Sequence, residues 1–486
     1  MIGKSDRWQE DLFVAAPLRE LIPEDHILKQ VDAAVDFSWI EQDVRDTYCE
    51  ENGRPSIPPE TALRLMLAGF LLGIVKDRRL LRRAQTDLAI RWFAGYRLDE
   101  ALPDHSSLTR IRQRWGKERF ERILRRIVKA CVDAGLVGGK TIHVDATLIR
   151  ADVSWESLTT EHAEQVVQAN EGEQEQAQAP KPKPGRPRTK APKKKKRSTT
   201  DPDASMATSR ADQRLEPSFK QHTAVDDHAG IVVDVEVTTG EHNEGEGLVE
   251  QLKRVEETTG VAVQTVTADA AYAHAKNYAA LEKQPIKAVI PPQRERRRAK
   301  RIPLRRFKYD SKHQRVTCPG GKVLHRSTRV KNGTWYRARA RDCAACPLRG
   351  RCFSERVSSR SVLIVDGYEA LLRARRKRRR WDDATRAEYA RHRWRAEGAH
   401  AEGKVEHGLR RAVRRGLDNV AIQAYLTAAA MNLKRLAKAL LRLLHLLAAS
   451  QGFRSRRRAY ARPFSTLRVR MQTRLAQRPI MPGVAA

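Results

Sequence analysis

The sequence lacks an apolar run long enough to cross a membrane. Its longest run, Leu65 to Val75, has 11 residues, whereas a membrane-spanning helix needs about 20. The first residues, MIGKSDRWQEDLF, carry no apolar core of the kind found in a secretory signal peptide. Six cysteines in 486 residues are too few for a disulfide scaffold. Membrane proteins and disulfide-stabilised secreted proteins are therefore excluded, and we expect a cytoplasmic location.

Negative charge is also in short supply. The chain has 94 Lys and Arg against 59 Asp and Glu, which gives a formal net charge of +35. An enzyme for a small molecule gains little from so positive a field, whereas a phosphate backbone is bound by it because each neutralised phosphate releases counterions. A merely solvated basic surface is the alternative, but the size of the excess favours a nucleic-acid partner.

Residues 58–134 have the apolar periodicity of helices. We expect a first helix after Pro58 and Pro59, a second over residues 78–93, and a third that Ser106 caps. The start of the third helix is rich in arginine.

Arg110 and Arg112 lie in this basic stretch. A short helical module with a basic third helix is typical of domains that read DNA, so both side chains are candidate DNA contacts. The alternative is a helical bundle whose arginines only face water.

From about residue 140 the pattern changes to that of an α/β domain. Alternating apolar residues predict strands, and helical periodicity separates two of them. The expected elements are strands over residues 140–145, 230–237, 264–269 and 287–290, and a helix over residues 274–283. Strands mixed with helices indicate an α/β or α+β domain.

A Lys- and Pro-rich segment interrupts this domain. Residues 165–215 contain a stretch of Gln, Pro, Lys and Ala, which cannot bury a core and therefore predicts disorder. Within the segment, Arg186 and Arg188 lie in the sequence PGRPR, which is similar to an AT-hook, whose arginines enter the minor groove of A·T-rich DNA. A solvated linker is the alternative. Further basic blocks cover residues 294–306, 373–380 and 454–470.

Four of the six cysteines lie close together in the sequence. They are Cys318, Cys343, Cys346 and Cys352. The Cys-x2-Cys pair among them places two thiolates on one tight turn, which suits tetrahedral zinc, and a closed four-cysteine site would be structural. We expect a structural zinc ion here, and the alternative is four reduced thiols packed as small apolar residues.

Two aspartates end predicted strands. Asp145 is the last residue of the first predicted strand and Asp269 is the last residue of the third, and the ends of strands are where α/β domains build their sites. Together with a third carboxylate they would hold two Mg²⁺ ions, which clamp the attacking and leaving oxygens of an in-line phosphoryl displacement.

The third carboxylate comes from a predicted helix. At about 100° per residue, Arg393, Glu397 and Lys404 fall within about 40° of one another. Glu402 lies about 140° away from Glu397. One helix face therefore presents a carboxylate between two cations.

These motifs resemble those of the DDE transposases of bacterial insertion sequences, in the branch called IS eleven-eighty-two. The resemblance covers nearly the whole chain. Its N-terminal pieces are GRPS at residues 53–56, RWFAG at 91–95 and DHSS at 104–107. Its catalytic pieces are VDAT at 144–147 and TADAAY at 267–272, and the Cys-Pro-Gly, Cys-x2-Cys-Pro and NLKR (432–435) pieces also match.

The third catalytic piece is the family signature Y-(2)-R-(3)-E-(6)-K. Arg393, Glu397 and Lys404 match its R, E and K at the family spacing. The Tyr departs from the pattern, because the expected position is Ala390 and the nearest tyrosine is Tyr389. The role of the tyrosine is therefore open.

The resemblance implies an RNase H-like mixed sheet with flanking helices, preceded by an all-α domain and interrupted by the disordered linker and a cysteine-containing insertion. Asp145, Asp269 and Glu397 would be catalytic ligands of Mg²⁺ or Mn²⁺, and Arg393 and Lys404 would contact DNA phosphates. The predicted segments are 1–135 (helical, DNA-binding or assembly), 136–164 and 216–290 (catalytic core), 165–215 (linker), 291–385 (insertion), 386–450 (catalytic and C-terminal helices) and 451–486 (basic tail).

The implied activity is cleavage of DNA at insertion-sequence ends and joining of those ends to target DNA. The expected partners are double-stranded DNA, as terminal inverted repeats and target, and a second copy of the chain in a homodimer on that DNA, in the bacterial nucleoid. Two alternatives remain open at this point. One is a domesticated DNA-binding protein that does not cut, against which the three carboxylates argue, and the other is a metal-dependent nuclease without strand transfer.

Overall fold

The computed structural model describes residues 17–49, 56–154, 158–160, 196–208, 215–293 and 302–450. The chain divides into two compact units, Met1–Ala134 with Glu406–Gly408 and Tyr425–Ala486, and Gly135–Val405 with Leu409–Ala424. Arg186, Arg188 and the basic tail lie outside the described residues. Among the helices that are described, none combines the length and the apolar character that a membrane span requires.

The first unit is helical. Its helices are α1 (Ile27–Ala34), α2 (Ile40–Val44), α3 (Pro59–Leu71), α4 (Asp77–Ala84), α5 (Leu88–Ala94) and α6 (His105–Asp133), to which the C-terminal helix adds its residues from Tyr425 onward. The C-terminal helix was expected with the catalytic segment, but its apolar residues from Tyr425 to Met431 are all buried and most of the helix clusters with this unit.

Helix α3 forms the centre of this unit. Pro59 occupies its first turn, where a missing N–H costs nothing. The apolar face predicted from the sequence is buried, and of residues 62–71 only Arg64 keeps partial exposure. The guanidinium of Arg64 binds Asp32 at 2.7 Å and Glu60 at 2.7 Å, so the cation of this core helix is paired with two carboxylates, one of them from the first turn of the same helix.

Helix α6 differs from the prediction at its start. It begins at His105, and its cap is Asp104, whose carboxylate accepts a hydrogen bond from Ser106 N at 2.8 Å. Ser106 is therefore inside the first turn and does not cap it. The helix also contains a break at Gly116, whose φ of 71° is a left-handed conformation that glycine adopts readily.

Arg112, predicted to contact DNA, lies in the core of this unit. It is 2% exposed and binds Asp77 through two hydrogen bonds of 2.7 Å. The prediction that Arg112 contacts DNA is therefore wrong, because both terminal nitrogens of its guanidinium bind a buried carboxylate at the start of α4. Arg110 is exposed on the same helix and remains a candidate for phosphate contact.

Replacing Arg112 by Ala should destabilise the protein strongly. The change leaves the Asp77 carboxylate buried without its main partner, a loss that costs about 3–5 kcal/mol. Urea denaturation followed by circular dichroism measures it. Arg110→Ala is the matched control, with an expected change within about 0.5 kcal/mol, and equal effects of the two variants would contradict the burial of Arg112.

The second unit contains a six-stranded sheet. Its strands are β1 (Thr141–Arg150), β4 (Ser205–Ala207), β5 (Glu216–Asp226), β6 (Val232–Thr239), β7 (Thr265–Ala268) and β8 (Lys287–Val289), and a separate pair is formed by β2 (Leu158–Thr160) and β3 (Lys196–Ser198). β1 pairs antiparallel with β5 and parallel with β7, β7 pairs parallel with β8, and both β4 and β6 pair with β5.

Helices α7 (Leu248–Thr259) and α8 (Ala275–Lys283) lie between the later strands in the sequence. The four strands and the helix predicted in this region are confirmed, although β1 is longer than expected. The central strand β5 was not predicted. Its Gln221, His222 and Thr223 are all buried, so it lacks the apolar and polar alternation by which a strand with one buried face is recognised.

The linker prediction is wrong for part of its range. Residues 196–208 are described, and Ala204 and Ala207 are buried. Asp201 Oδ1 and Asp203 Oδ2 accept hydrogen bonds from Gly416 N at 3.3 Å and Leu417 N at 3.0 Å. These two aspartates follow the basic run in the sequence and bind the start of the C-terminal helix. The composition of the whole segment predicts disorder because the basic run dominates it.

The cysteine-containing insertion has a sheet of its own. Its strands are β9 (Lys308–Asp310), β10 (Arg315–Thr317), β11 (Val323–Val330), β12 (Gly333–Arg337) and β13 (Ser361–Val365), and its helices are α9 (Ala340–Ala344), α10 (Arg349–Cys352) and α11 (Tyr368–Arg379). The five strands pair in the order β13-β12-β11-β10-β9. After this sheet the chain continues into α12 (Asp383–His392), a π-helical turn (Arg393–Glu397), α13 (Gly398–Glu406) and α14 (Leu417–Ser450).

Candidate active site

The register of the central sheet brings Asp145 and Asp269 together. The parallel pairing of β1 with β7 runs from Thr141 opposite Thr265 to Val144 opposite Ala268. Each aspartate is the next residue along its own chain, and paired strands lie only about 4.7–4.9 Å apart. Two residues that are 124 positions apart in sequence therefore begin from neighbouring points of the backbone.

The two aspartates differ in acidity. The pKa of Asp269 is raised to about 6, mainly by burial and to a smaller extent by the charges of Asp145 and Glu244, while a backbone hydrogen bond from Ala271 opposes the shift. Burial also opposes ionisation of Asp145, but a hydrogen bond to His400 and the charge of that histidine outweigh burial, so the pKa of Asp145 is lowered. Ionisation of Asp269 beside the ionised Asp145 therefore costs free energy, and a bound cation would offset that cost.

Glu397 lies at the end of a π-helical turn. Gly398 N donates to Arg393 O, which is the i to i+5 bond that defines such a turn. The sequence predicts an α-helix across the whole stretch. Because a π-turn holds one extra residue, the angle of about 40° predicted between Arg393 and Glu397 does not hold.

Tyr389 lies one residue from the position that the signature assigns to its tyrosine. It precedes Glu397 by eight residues, whereas the family spacing is seven. The additional residue lies between Tyr389 and Arg393, ahead of the π-turn, because Arg393 and Glu397 keep the family spacing. The ring of Tyr389 stacks on that of His392, with 6.0 Å between the ring centroids. Burial raises the pKa of Tyr389, and the charges of Asp269, Glu397 and Asp145 act in the same direction. Among the described residues, Asp145, Asp269 and Glu397 do not bring one oxygen each within 4.8 Å of one another, so a cation shared by all three requires a closer approach of these oxygens.

The cations of the signature lie in different environments. Arg393 is 82% exposed and its Nε lies 3.6 Å from Glu397 Oε2, which is itself 60% exposed. Lys404 is half-buried, and its pKa is lowered by burial and by Arg410, while Asp145 opposes the shift. Both cations therefore lie near a carboxylate of the predicted set, and Arg393 is accessible to a phosphate. Glu402 is half-buried.

Three histidines near the aspartates were missed by sequence reasoning. His400 Nδ1 lies 3.4 Å from Asp145 Oδ2, and its Nε2 lies 3.0 Å from Thr223 Oγ1. His143 and His392 are buried, and burial lowers the pKa of each, to about 4 for His392. The available signal was positional, since His143 precedes Asp145 by two residues and so shares its strand face.

A buried hydroxyl adjoins the carboxylates. Tyr272 is 1% exposed, and its hydroxyl has no hydrogen-bond partner in the described part of the chain. Its pKa is raised by burial and by the charges of Asp145, Glu244 and Asp269. An orphaned donor beside crowded carboxylates fits a site that receives a hydrated cation or a phosphate oxygen, because a buried polar group without a partner is costly.

The four cysteines predicted to bind zinc converge in the insertion. They line a common void of about 20 Å³, and none of them forms a disulfide. A Cβ on Gly320 would lie 3.4 Å from Cys346 Sγ and 3.7 Å from Cys318 Sγ. Burial raises the pKa of Cys352, and the charges of the other three cysteines add to this.

Some of the distances between the four sulfur atoms are longer than those in an occupied zinc site, so the sulfurs must move closer together to bind an ion. Among the described residues, no three of these sulfurs lie within 4.8 Å of one another, whereas Zn–S bonds of about 2.3 Å hold ligands closer than that. The donor set fits zinc in type and number.

Comparison with known families gives two matches. Residues 16–114 match the model described as "Transposase domain (DUF772)", and residues 317–437 match the model described as "Transposase DDE domain". The second match includes Glu397 and the four cysteines, and it begins after Asp145 and Asp269. The two matches support a DDE transposase.

Comparison with curated proteins gives no match. Among solved structures, the "Cryo-EM structure of piggyBac transposase synaptic complex with hairpin DNA" aligns at 10% sequence identity and a TM-score of 0.28, covering 94% of this chain and 86% of that chain. A score this low carries no argument about fold or function.

The raised pKa of Asp269 has a consequence for stability. Because this carboxyl is protonated more readily in the folded chain, its contribution favours folding at low pH and is lost as the pH rises through about 6. Asp269→Asn should therefore stabilise the metal-free protein above pH 6 by about 1–3 kcal/mol, with little effect near pH 4.

Denaturation at a series of pH values, with chelator and then with Mg²⁺, measures this difference. Added Mg²⁺ should reduce it by stabilising the wild type. An Asn variant that is less stable than the wild type at pH 8 without metal would show that Asp269 is not under electrostatic strain.

Proposed function

We propose that this protein is a DDE transposase of the IS eleven-eighty-two branch, which cuts DNA at the ends of an insertion sequence and joins those ends to target DNA. The observation that carries the proposal is the register of β1 and β7, which makes Asp145 and Asp269 neighbours. The strand order β6-β5-β1-β7-β8, with three antiparallel strands continuing into two parallel ones, supports an RNase H-like catalytic core.

Asp145, Asp269 and Glu397 would hold the divalent cations. Carboxylate oxygens are the ligands that Mg²⁺ and Mn²⁺ prefer, and the pKa of Asp269, raised by burial and by the charge of Asp145, supports cation binding here. Bound in pairs, such ions activate the attacking oxygen and stabilise the leaving oxygen of a phosphodiester.

The protein side chains would position the DNA. Arg393 is exposed beside Glu397 and would bind a phosphate next to the scissile bond, while Lys404 adds a point charge near Asp145. On α11, the exposed Arg376, Lys377 and Arg379 would contact the backbone further away. The net charge of +35 supports binding of both end and target DNA, and two copies of the chain would pair the two ends.

The identity of the third carboxylate can be tested by matched amide variants. Glu397→Gln keeps the size of the side chain but removes the charge that holds the metal, so Mg²⁺-dependent cleavage should fall by at least about 100-fold while DNA affinity is largely kept. Glu402→Gln is the control and should cost little. The substrate is labelled DNA from the sequences that flank the gene, and appearance of joined product separates a transposase from a nuclease.

The proposal fails for this residue if the Glu402 variant is inactive and the Glu397 variant still cuts. Cleavage without any joined product would favour the nuclease alternative, and DNA binding without cleavage in the wild type would favour the domesticated protein.

We also propose that the four cysteines bind one structural zinc ion. A closed four-sulfur site has no position for water, so its loss should affect stability and leave the chemistry unchanged. Elemental analysis should find about one zinc per chain, and Cys346→Ser should lower both the zinc content and the melting temperature. Cys49→Ser, at an exposed and isolated cysteine, is the control. Zinc-free protein with an unchanged melting temperature would refute the site.

A further inference from the structure

A set of buried hydrogen bonds links β1 and β7 to α12, the helix that precedes Glu397. The two strand residues involved, His143 and Thr267, lie two positions before Asp145 and Asp269 and therefore on the same strand faces. Thr267 Oγ1 lies 2.6 Å from His143 Nδ1 and 3.0 Å from His392 Nδ1. His143 Nε2 continues the chain to Asp227 Oδ1 at 3.0 Å. His143 and Thr267 are fully buried and His392 is 5% exposed, so these bonds form where the dielectric constant is low and unpaired groups are costly.

The chain closes into a ring through the residue next to His392. Arg391 Nε lies 3.0 Å and 3.2 Å from the two oxygens of Asp227. Arg391 and His392 are consecutive residues of α12. Arg391 binds Asp227 at one end of the chain of hydrogen bonds, and His392 contacts Thr267 at the other end. The ring connects α12 with β1, β7 and the turn after β5, and the π-turn begins at the residue that follows it.

The direction of each proton follows from the chemistry of the partners. Asp227 is ionised, since Arg391 and His143 lower its pKa despite burial, so it only accepts and His143 donates from Nε2. Neutral His143 then accepts at Nδ1 from the Thr267 hydroxyl. The Thr267 oxygen accepts in turn from His392 Nδ1–H, which leaves His392 Nε2 as an unprotonated acceptor.

The other end of the π-turn is held separately. His400 contacts Asp145 Oδ2 at 3.4 Å and Thr223 at 3.0 Å. Glu397 lies between these two anchors, and its own side chain is 60% exposed and pairs with Arg393. Within the turn, Arg395 Nη2 also donates to His228 O at 2.9 Å. The place of the Glu397 carboxylate relative to the two aspartates therefore depends on how the chain is fixed at residues 392, 395 and 400.

We propose that Thr267 and His392 are positioning residues, which set the affinity of the carboxylate site for a divalent cation by fixing the start of the π-turn. The inference rests on the proposed function, because it takes Asp145, Asp269 and Glu397 to be the cation ligands. Thr267 is the hub of the arrangement, since its single hydroxyl serves one imidazole as donor and the other as acceptor.

The test is Mn²⁺ binding by the full chain without DNA, followed by electron paramagnetic resonance. Thr267→Val keeps the shape of the side chain but removes the hydroxyl, and Mn²⁺ affinity should fall about 10–100-fold, as for other residues that orient metal ligands. Thr267→Ser keeps the hydroxyl and should restore the affinity.

Thr259→Val is the matched control. Its hydroxyl is also buried in this unit but bonds the backbone oxygen of Val255 at 2.8 Å. It should lower the melting temperature without changing Mn²⁺ affinity. A role for Thr267 in stability alone predicts the same behaviour for both valine variants and would overturn the inference.

A second variant decides the matter if Thr267→Val does not fold. Asp227 is 23% exposed, and Asp227→Asn removes the charge that orients the ring, so Mn²⁺ affinity should again fall. Wild-type affinity in Asp227→Asn would then overturn the inference. Asp145→Asn tests the underlying site, because Mn²⁺ binding that does not depend on Asp145 would contradict the proposed function instead.

Discussion

The site depends on the short parallel pairing between β1 and β7. Four residues on each strand are in register, and the hydrogen bonds between them fix where the two aspartates emerge. A slip of one residue would move one carboxylate to the opposite face of the sheet, because side chains alternate along a strand. The buried hydrogen bonds behind the aspartates depend on the same pairing, since His143 and Thr267 lie within it and connect it to His392 of α12.

The buried carboxylates of this site lower the free energy of unfolding when both are ionised. Asp145 and Asp269 are held close by the backbone, and burial together with the charge of Asp145 raises the pKa of Asp269. The protein offsets part of this repulsion with His400 and keeps Lys404 near Asp145. Cations bound by the proposed carboxylates would offset this repulsion, and cation binding would then be coupled to folding.

The sequence was sufficient for elements whose burial follows a simple period. The alternating strands β1, β6 and β7 and the apolar helix α3 were located. Asp269 does follow the end of β7, whereas Asp145, predicted at the end of its strand, lies inside β1. Strand β5 was missed because its buried residues include Gln221, His222 and Thr223, which read as polar loop. Arg112 was assigned to the surface because its partner, Asp77, lies 35 positions away in the sequence. The ring around Thr267 joins four segments distant in sequence, and no local pattern indicates it.

The π-turn at Arg393–Glu397 changes how a spaced motif should be read. The spacing of Arg393 and Glu397 matches the family signature, yet the turn between them is π-helical. A π-turn bonds residue i to residue i+5 and not to i+4, so the angle between two side chains across it differs from the value that a regular α-helix gives. A matching residue count therefore does not by itself place two side chains on one helix face. Homologous helices that contain such a turn are better aligned by the contacts of their side chains than by counting residues.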